Sequence, residues 1–333
     1  MPFQRLRRAL LTAACVAPLL LAACGGGSVE SKFSPTRMVA FGDASADAGQ
    51  RGARYTVNNG GTTWTEQVAS RFGLALTPSA AGGTGYAIGS ARVSAKPDAG
   101  GNAATPTVTE QIDAFLVAGA PGSGDLIVVS AGAADIIAES AALGGGGQDA
   151  TQTIANVRQA AIALAAQVRR LVNAGAKHVL VTGPYNLGRS PWNLQAVGGR
   201  DTCETREGER PPPDASPACL SSVFNQRLLI EMSNAGLGAR SVLYVDAALF
   251  FNLVTSNPAT YGYTDVTNPL CTSVDPGPGI GIGAGQVNSA LCNAGTLSGG
   301  PVGTTLFADR VYFTPAGHAS FGSYAFDRLR ENW

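Results

Sequence analysis

Short apolar runs alternate along this chain with longer stretches whose apolar positions recur at helical spacing. Residues 38–43 (MVAFGD) predict a first buried strand, 125–131 (DLIVVSA) a second, 177–182 (KHVLVT) a third and 242–246 a fourth. Between the first two, Trp64, Val68 and Phe72 fall at i, i+4 and i+8, which places a helix over 63–72. The patterns at 108–118, in the Ala-rich stretch 151–174, at 220–234 and at 315–329 predict further helices. Strands separated by helices argue an α/β domain whose central parallel sheet is covered on both faces. In such sheets the functional crevice lies beyond the carboxyl ends of the strands. Chemistry is therefore sought just after each strand.

The first residues follow a different pattern. Arg5, Arg7 and Arg8 open the chain, and 9–22 is an apolar run, short for a membrane span and suited to the core of a signal peptide. The run closes on Leu21-Ala22-Ala23-Cys24, which resembles the lipobox of bacterial lipoproteins. That resemblance implies cleavage before Cys24 and acylation of its thiol and new amino group. Several acyl chains, at ~0.8 kcal/mol per buried methylene, hold a protein on a membrane essentially permanently. The alternative is an ordinary secretory signal with a chance cysteine. Gly25-Gly26-Gly27-Ser28 reads as a flexible tether. The expected organisation is thus a signal peptide at 1–23, an acylated cysteine and tether at 24–32, and one domain at 33–333. The expected location is an exported lipoprotein on a bacterial membrane, the outer one, facing the periplasm or the cell surface.

Composition narrows the function classes. Hydrophobic residues make up 45% of the chain and charged ones only 14%, so a sizeable core can form. Setting aside Arg5, Arg7 and Arg8 leaves 20 basic side chains of the 23, against 23 acidic ones. That balance carries no electrostatic footprint for nucleic acid. Beyond the signal, Cys203, Cys219, Cys271 and Cys292 remain, with Cys15 inside it. An even number in an exported chain reads as disulfides, and nearest neighbours pair Cys203–Cys219 and Cys271–Cys292. Each closes a Pro/Gly-rich loop and contributes ~3 kcal/mol on the chain-entropy model. A zinc site is the rival, and it fails on spacing, because no CxxC pair exists and His178 and His318 are the two histidines. The loops, at 198–218 with Pro211-Pro212-Pro213 and at 268–303, stand outside the strand–helix alternation. Within the second, 279–285 (GIGIGAG) does not spell GxGxxG and follows no strand that opens into a helix. No cofactor is expected.

The first strand runs directly into Phe41-Gly42-Asp43-Ala44-Ser45-Ala46-Asp47-Ala48-Gly49. This block resembles FGDSLSDTG of the GDSL (SGNH) esterases, and further blocks follow in the family's order. Residues 83–91 (GTGYAIGSA) resemble GGTNYAxGGA, and 130–135 (SAGAAD) stand where GxND is expected. Residues 184–191 (PYNLGRSP) resemble NLPDLGxTP, and 306–318 (LFADRVYFTPAGH) resemble LFWDGVHPT…GH. The resemblance covers essentially the whole domain. It implies a flavodoxin-like, three-layer SGNH-hydrolase fold with disulfide-held excursion loops.

It also implies which positions carry the chemistry. Family members attack an ester with a serine, activated by a histidine that an aspartate orients. The serine's own backbone, a glycine and an asparagine stabilise the oxyanion. Here the nucleophile position is Ala44, the asparagine position Ala134 and the histidine position Tyr312. The glycine falls at Gly89 or Ser90, and Asp309 is retained. Losing the serine or histidine alone costs about 10⁶ in turnover, and one oxyanion donor a further ~10²–10³. The resemblance therefore implies a lipase or esterase scaffold without ester hydrolysis.

Ser45 adjoins the vacant position but matches the family's leucine. His178 opens a strand, at the end of the sheet away from the crevice, and His318 lies near the start of the last helix. Four carboxylates stay at the crevice: Asp43, Asp47, Asp135 and Asp309, the last beside Tyr312. Asp43, Asp135, Asp309 and Tyr312 are the candidate binding set, for a sugar hydroxyl, a cation or a peptide amine. The alternative is that Asp43, Asp47 and Asp135 only satisfy backbone N–H groups at strand and helix ends. Expected partners are the membrane, through Cys24, and a small molecule, glycan or lipid in the crevice. Two rivals stand beside this binding or envelope role. One is a working esterase with a relocated constellation. The other is a purely structural lipoprotein, whose crevice would be packed shut.

Overall fold

Four apolar segments, hydrogen-bonded side by side, form the centre of the molecule. In the computed structural model, which describes residues 33–195, 199–205, 209 and 214–333, they are β1 (Arg37–Gly42), β2 (Asp125–Ser130), β3 (His178–Thr182) and β4 (Val242–Tyr244). All neighbours are parallel, in the order β1-β2-β3-β4. Outside β1 runs one more extended segment, bridged in parallel through Gly85 to Ala40. Every residue of β2 is buried, as expected where helices cover both faces and alternation disappears.

The longer helices are α1 (Trp64–Arg71), α2 (Val108–Ala118), α3 (Ala133–Gly144), α4 (Ala150–Asn173), α5 (Pro217–Asn234), α6 (Ala247–Ser256) and α7 (Pro315–Asn332), with a single further turn at Pro191–Leu194. One layer is built from α2, α3, α4 and α5 packing on one another, the other from α1, α6 and α7. Local sequence sets their starts. Thr107 and Glu110 form a capping box, with Glu110 N–H on Thr107 Oγ1 at 3.2 Å and Thr107 N–H on Glu110 Oε2 at 2.7 Å. Pro217 and Pro315 each open a helix behind a Ser or Thr cap.

Two of these helices, α3 and α6, are absent from the pattern-based expectation. Both are dense in Ala and large apolar residues and follow a strand closely, so no polar face separates them from it. The fourth strand also ends earlier than expected, at Tyr244, because Asp246 caps α6 by accepting Leu249 N–H at 2.9 Å.

Both disulfides are present, Cys203–Cys219 and Cys271–Cys292, with Cα separations of 4.7 and 5.8 Å. The second loop carries structure of its own. β5 (Asp265–Pro269) pairs in parallel with β8 (Thr305–Phe307), and β6 (Val274–Asp275) is antiparallel to β7 (Gln286–Val287). Its glycine-rich stretch tucks Ile280 into the core and lies so close to Ala99 that a Cβ on Gly281 would stand 2.3 Å from the Ala99 carbonyl oxygen. In the first loop, Pro211, Pro212 and Pro213 lie outside the described residues, as do 1–32 with Cys15 and Cys24.

At the amino ends of the strands, Phe33 stacks on His178 with centroids 3.7 Å apart, and Trp333 meets both rings edge-on. Burial lowers the His178 pKa. This histidine belongs to the end of the sheet opposite the crevice.

Candidate functional site

Gly42 ends β1 in a conformation that only glycine accepts: φ is 146°, and a Cβ there would fall 1.8 Å from the Ser130 carbonyl oxygen. The chain can therefore turn sharply at the carboxyl end of the sheet into the short turn Ala44–Ala46. Asp43 leads that turn. Its Oδ1 accepts from Ser45 N–H at 3.3 Å and from Ser45 Oγ at 3.2 Å, while Oδ2 accepts from Ala133 and Ala134 N–H at 3.2 and 3.5 Å. The carboxylate thus sits on the first turn of α3, where a helix favours negative charge. Burial nevertheless pushes its pKa up to about 6, against the opposing pull of these donors.

The other candidate carboxylates are engaged in the same manner. Asp47 accepts from Gly49, Gln50 and Gly89 N–H at 2.8, 2.7 and 2.8 Å. Asp135 accepts from Val93 N–H at 3.0 Å beside Arg92, and burial raises it to about 7. Asp309, wholly buried, accepts from Val311 and Tyr312 N–H at 2.7 Å each and from Ser289 N–H at 3.0 Å. Burial raises its pKa, with Ser289 the main opposing influence. Ser289 belongs to the Cys271–Cys292 loop, and nothing in its sequence spacing pointed to this contact.

Of the two candidates for the glycine position, Gly89 has its donor taken. Gly89 N–H is the group held by Asp47 Oδ2. The Tyr55 ring lies against the same residue, so that a Cβ on Gly89 would meet it at 2.0 Å. Ser90 beside it adopts φ of 65°, unusual for a residue with a side chain. Tyr55 also meets Tyr312 edge-to-face at 5.3 Å. Tyr312 is 2% exposed. Burial, with Asp43 and Asp309 near, holds its hydroxyl well above the usual tyrosine range, and that hydroxyl makes no hydrogen bond among the described residues.

Below Tyr312 the space is filled by aromatic rings. Phe251 and Phe313 stack at 3.9 Å, Trp64 and Phe321 meet edge-on at 5.0 Å, and Tyr185 donates to Val311 O at 2.6 Å. What remains is an apolar-walled cavity of about 30 Å³, reaching from Asp43, Ser45 and Ser130 down to Phe321. That volume holds one or two waters and no acyl group. Tyr55, Tyr185 and Phe251 were not among the expected site residues: Tyr55 and Phe251 come from segments without a motif, and Tyr185 sits in the 184–191 block at a position to which no role was given.

The histidines complete the picture. His318 Nδ1 accepts from Trp64 N–H at 3.2 Å, at the start of α1, and burial lowers its pKa to about 4. It is a neutral histidine already engaged at a helix terminus. Ser45, half-buried, hydrogen-bonds Ser130 Oγ at 3.1 Å as well as Asp43. Among the described residues no cluster of His, Cys, Asp or Glu could hold a metal ion.

The motif order, the parallel sheet and the crevice at its carboxyl end agree with one comparison. The model of the GDSL-like Lipase/Acylhydrolase family matches residues 38–325. The chain belongs to that family. No curated protein matches it. In this GDSL-like member the five positions singled out from the motifs are Ala44, Gly89, Ala134, Asp309 and Tyr312, and of these Tyr312 lines the small cavity. Two hold alanine, one holds a glycine whose N–H is taken, and one an aspartate enclosed by backbone donors. The fifth holds a tyrosine in place of a base.

Proposed function

We propose that this GDSL-like protein is a non-catalytic envelope lipoprotein whose family crevice neither hydrolyses esters nor holds a ligand. The observation that carries this reading is the filled crevice: Tyr312, Tyr185, Phe251 and Phe313 wall an apolar cavity of only about 30 Å³. A substrate needs a cleft of several hundred Å³. The absence of a hydroxyl at Ala44 and of a side-chain donor at Ala134 points the same way, as does the enclosure of Asp309. Asp43, Asp135 and Asp309 act in this reading as acceptors for backbone N–H groups, not as ligand contacts. The deciding experiment exposes the purified domain to short-chain p-nitrophenyl esters and to a serine-directed fluorophosphonate. Neither turnover above background nor labelling is expected.

A second reading has one observation in its favour. Ser45 Oγ stands 3.2 Å from Asp43 Oδ1 and 3.1 Å from Ser130 Oγ, the beginnings of an activated hydroxyl. Asp43 is a weak base and is already engaged by two helix N–H groups. Fluorophosphonate labelling at Ser45 would establish this reading and overturn the first.

Anchoring belongs to the same proposal. The basic, apolar and small-residue segments end in register at Cys24, and no helix among the described residues is long and apolar enough to cross a membrane. Cys24→Ser is expected to release the protein from the membrane fraction. A variant that stays fully membrane-bound would remove the lipobox from the account.

A further inference from the structure

Beside the closed crevice, past the carboxyl ends of β3 and β4, a second depression opens between α5 and α6. Its volume is about 330 Å³, within the range of small-ligand sites. Its walls include Asn252 and Ala248 of α6, Ser222 and Leu229 of α5, Tyr244 at the end of β4 with Asp246 just beyond it, and Thr202 next to the Cys203–Cys219 disulfide.

The unused polar groups of these walls define what fits. Asn252 Oδ1 accepts from Asn186 Nδ2 at 3.2 Å, while its own Nδ2 donates to nothing among the described residues. Asp246 Oδ1 caps α6 and leaves Oδ2 open. Ser222 Oγ accepts from Gln226 and donates to nothing described, and the Thr202 and Tyr244 hydroxyls have no described partner. The groove thus presents an amide donor, a carboxylate acceptor and three hydroxyls that can do either. Adjacent sugar hydroxyls, each both donor and acceptor, complete such a set. Asp246 is the one charged side chain among the described lining residues, which disfavours an anion, and the few apolar groups suit an acyl chain poorly. A larger groove beside α2, of about 590 Å³, offers less: Gln50 and Gln111 are engaged with backbone and Lys96 is paired with Glu110.

We infer that the groove between α5 and α6 is a binding site for a neutral sugar, a monosaccharide or the end of a glycan chain. The site is separate from the family crevice and stands whether or not that crevice turns over esters.

The test uses the whole domain with galactose, N-acetylglucosamine and cellobiose at millimolar concentrations, and glucuronate as the anionic comparison. Binding is read by saturation-transfer NMR and by backbone shift changes. At least one neutral sugar is expected to bind, with shifts at Thr202, Tyr244 and Asn252, and glucuronate is not. Asn252→Asp keeps the acceptor for Asn186 and removes the donors. It is expected to weaken binding about tenfold, the size of one hydrogen bond to ligand, as is Tyr244→Phe, both with unchanged circular dichroism. The site is refuted if no neutral sugar binds, or if folded Asn252→Asp and Tyr244→Phe bind as the parent does. Shifts centred on Tyr312 and Phe313 would refute it too, and would separately overturn the closed-crevice proposal.

Discussion

The Asp309 carboxylate holds the backbone N–H of Ser289, 20 residues away and in a different loop, at 3.0 Å. This carboxylate fastens the Cys271–Cys292 excursion to the end of the sheet. Asp309→Asn would turn one acceptor oxygen into a donor facing buried N–H groups, at a cost of about 2–4 kcal/mol. The expected readout is a lower urea midpoint together with faster amide exchange at Ser289, Val311 and Tyr312. An unchanged midpoint would mean the carboxylate carries no structural role.

Restoring the family residues tests the crevice from the other side. Ala44→Ser, Ala134→Asn and Tyr312→His together bring back nucleophile, donor and base beside Asp309. They leave Tyr55 against Gly89, whose N–H remains on Asp47. The triple variant is therefore expected to take up fluorophosphonate only slowly. Adding Tyr55→Ala should raise the labelling rate by clearing the glycine corner. Equal rates with and without Tyr55 would show that this ring does not obstruct the site.

How much of this was legible in the residues differs by feature. The nine-residue block around Ala44 and the block ending at His318 pointed to three of the five candidate positions, Ala44, Asp309 and Tyr312, because each motif is contiguous. The strands were visible because buried parallel strands are unbroken apolar runs. Tyr55 was not visible, since its partners Gly89 and Tyr312 are brought to it by the fold and by no spacing of its own. The same is true of Ser289 on Asp309. The helix α6 was hidden in an apolar stretch that continues from β4 with only Asp246 between.

The second disulfide closes a loop with a sequence separation of 21. Changing Cys271 and Cys292 together to serine is expected to cost about 3 kcal/mol. It should also loosen the Ser289 contact, so that Asp309→Asn in that background adds less than it does alone. Strict additivity of the two changes would argue that the disulfide and Asp309 hold the loop independently.

Burial of His318 gives stability a pH dependence with a definite sign. Its folded pKa of about 4 lies below the value of 6.5 in an unfolded chain, so the unfolded state binds more protons between the two. The contribution is complete above pH 6.5 and is lost as pH falls toward 4, up to about 3 kcal/mol. His318→Asn keeps an acceptor for Trp64 N–H and removes the titration. The stability gap between parent and variant in urea unfolding should be constant above neutrality and shrink at pH 5. A gap that does not change over that range would remove His318 from the pH response.

The ring cluster of Phe33, His178 and Trp333 brings the first residue of the described domain and the last residue of the chain to one pole, their rings 6.1 Å apart. The order in which this polypeptide is threaded is then close to arbitrary. A short peptide could join 333 to 33, and the break could be moved to the glycine-rich turn after α3, where a cut crosses no strand. A circle closed at that pole would leave the aromatic-filled crevice and the polar groove, both at the other pole, untouched.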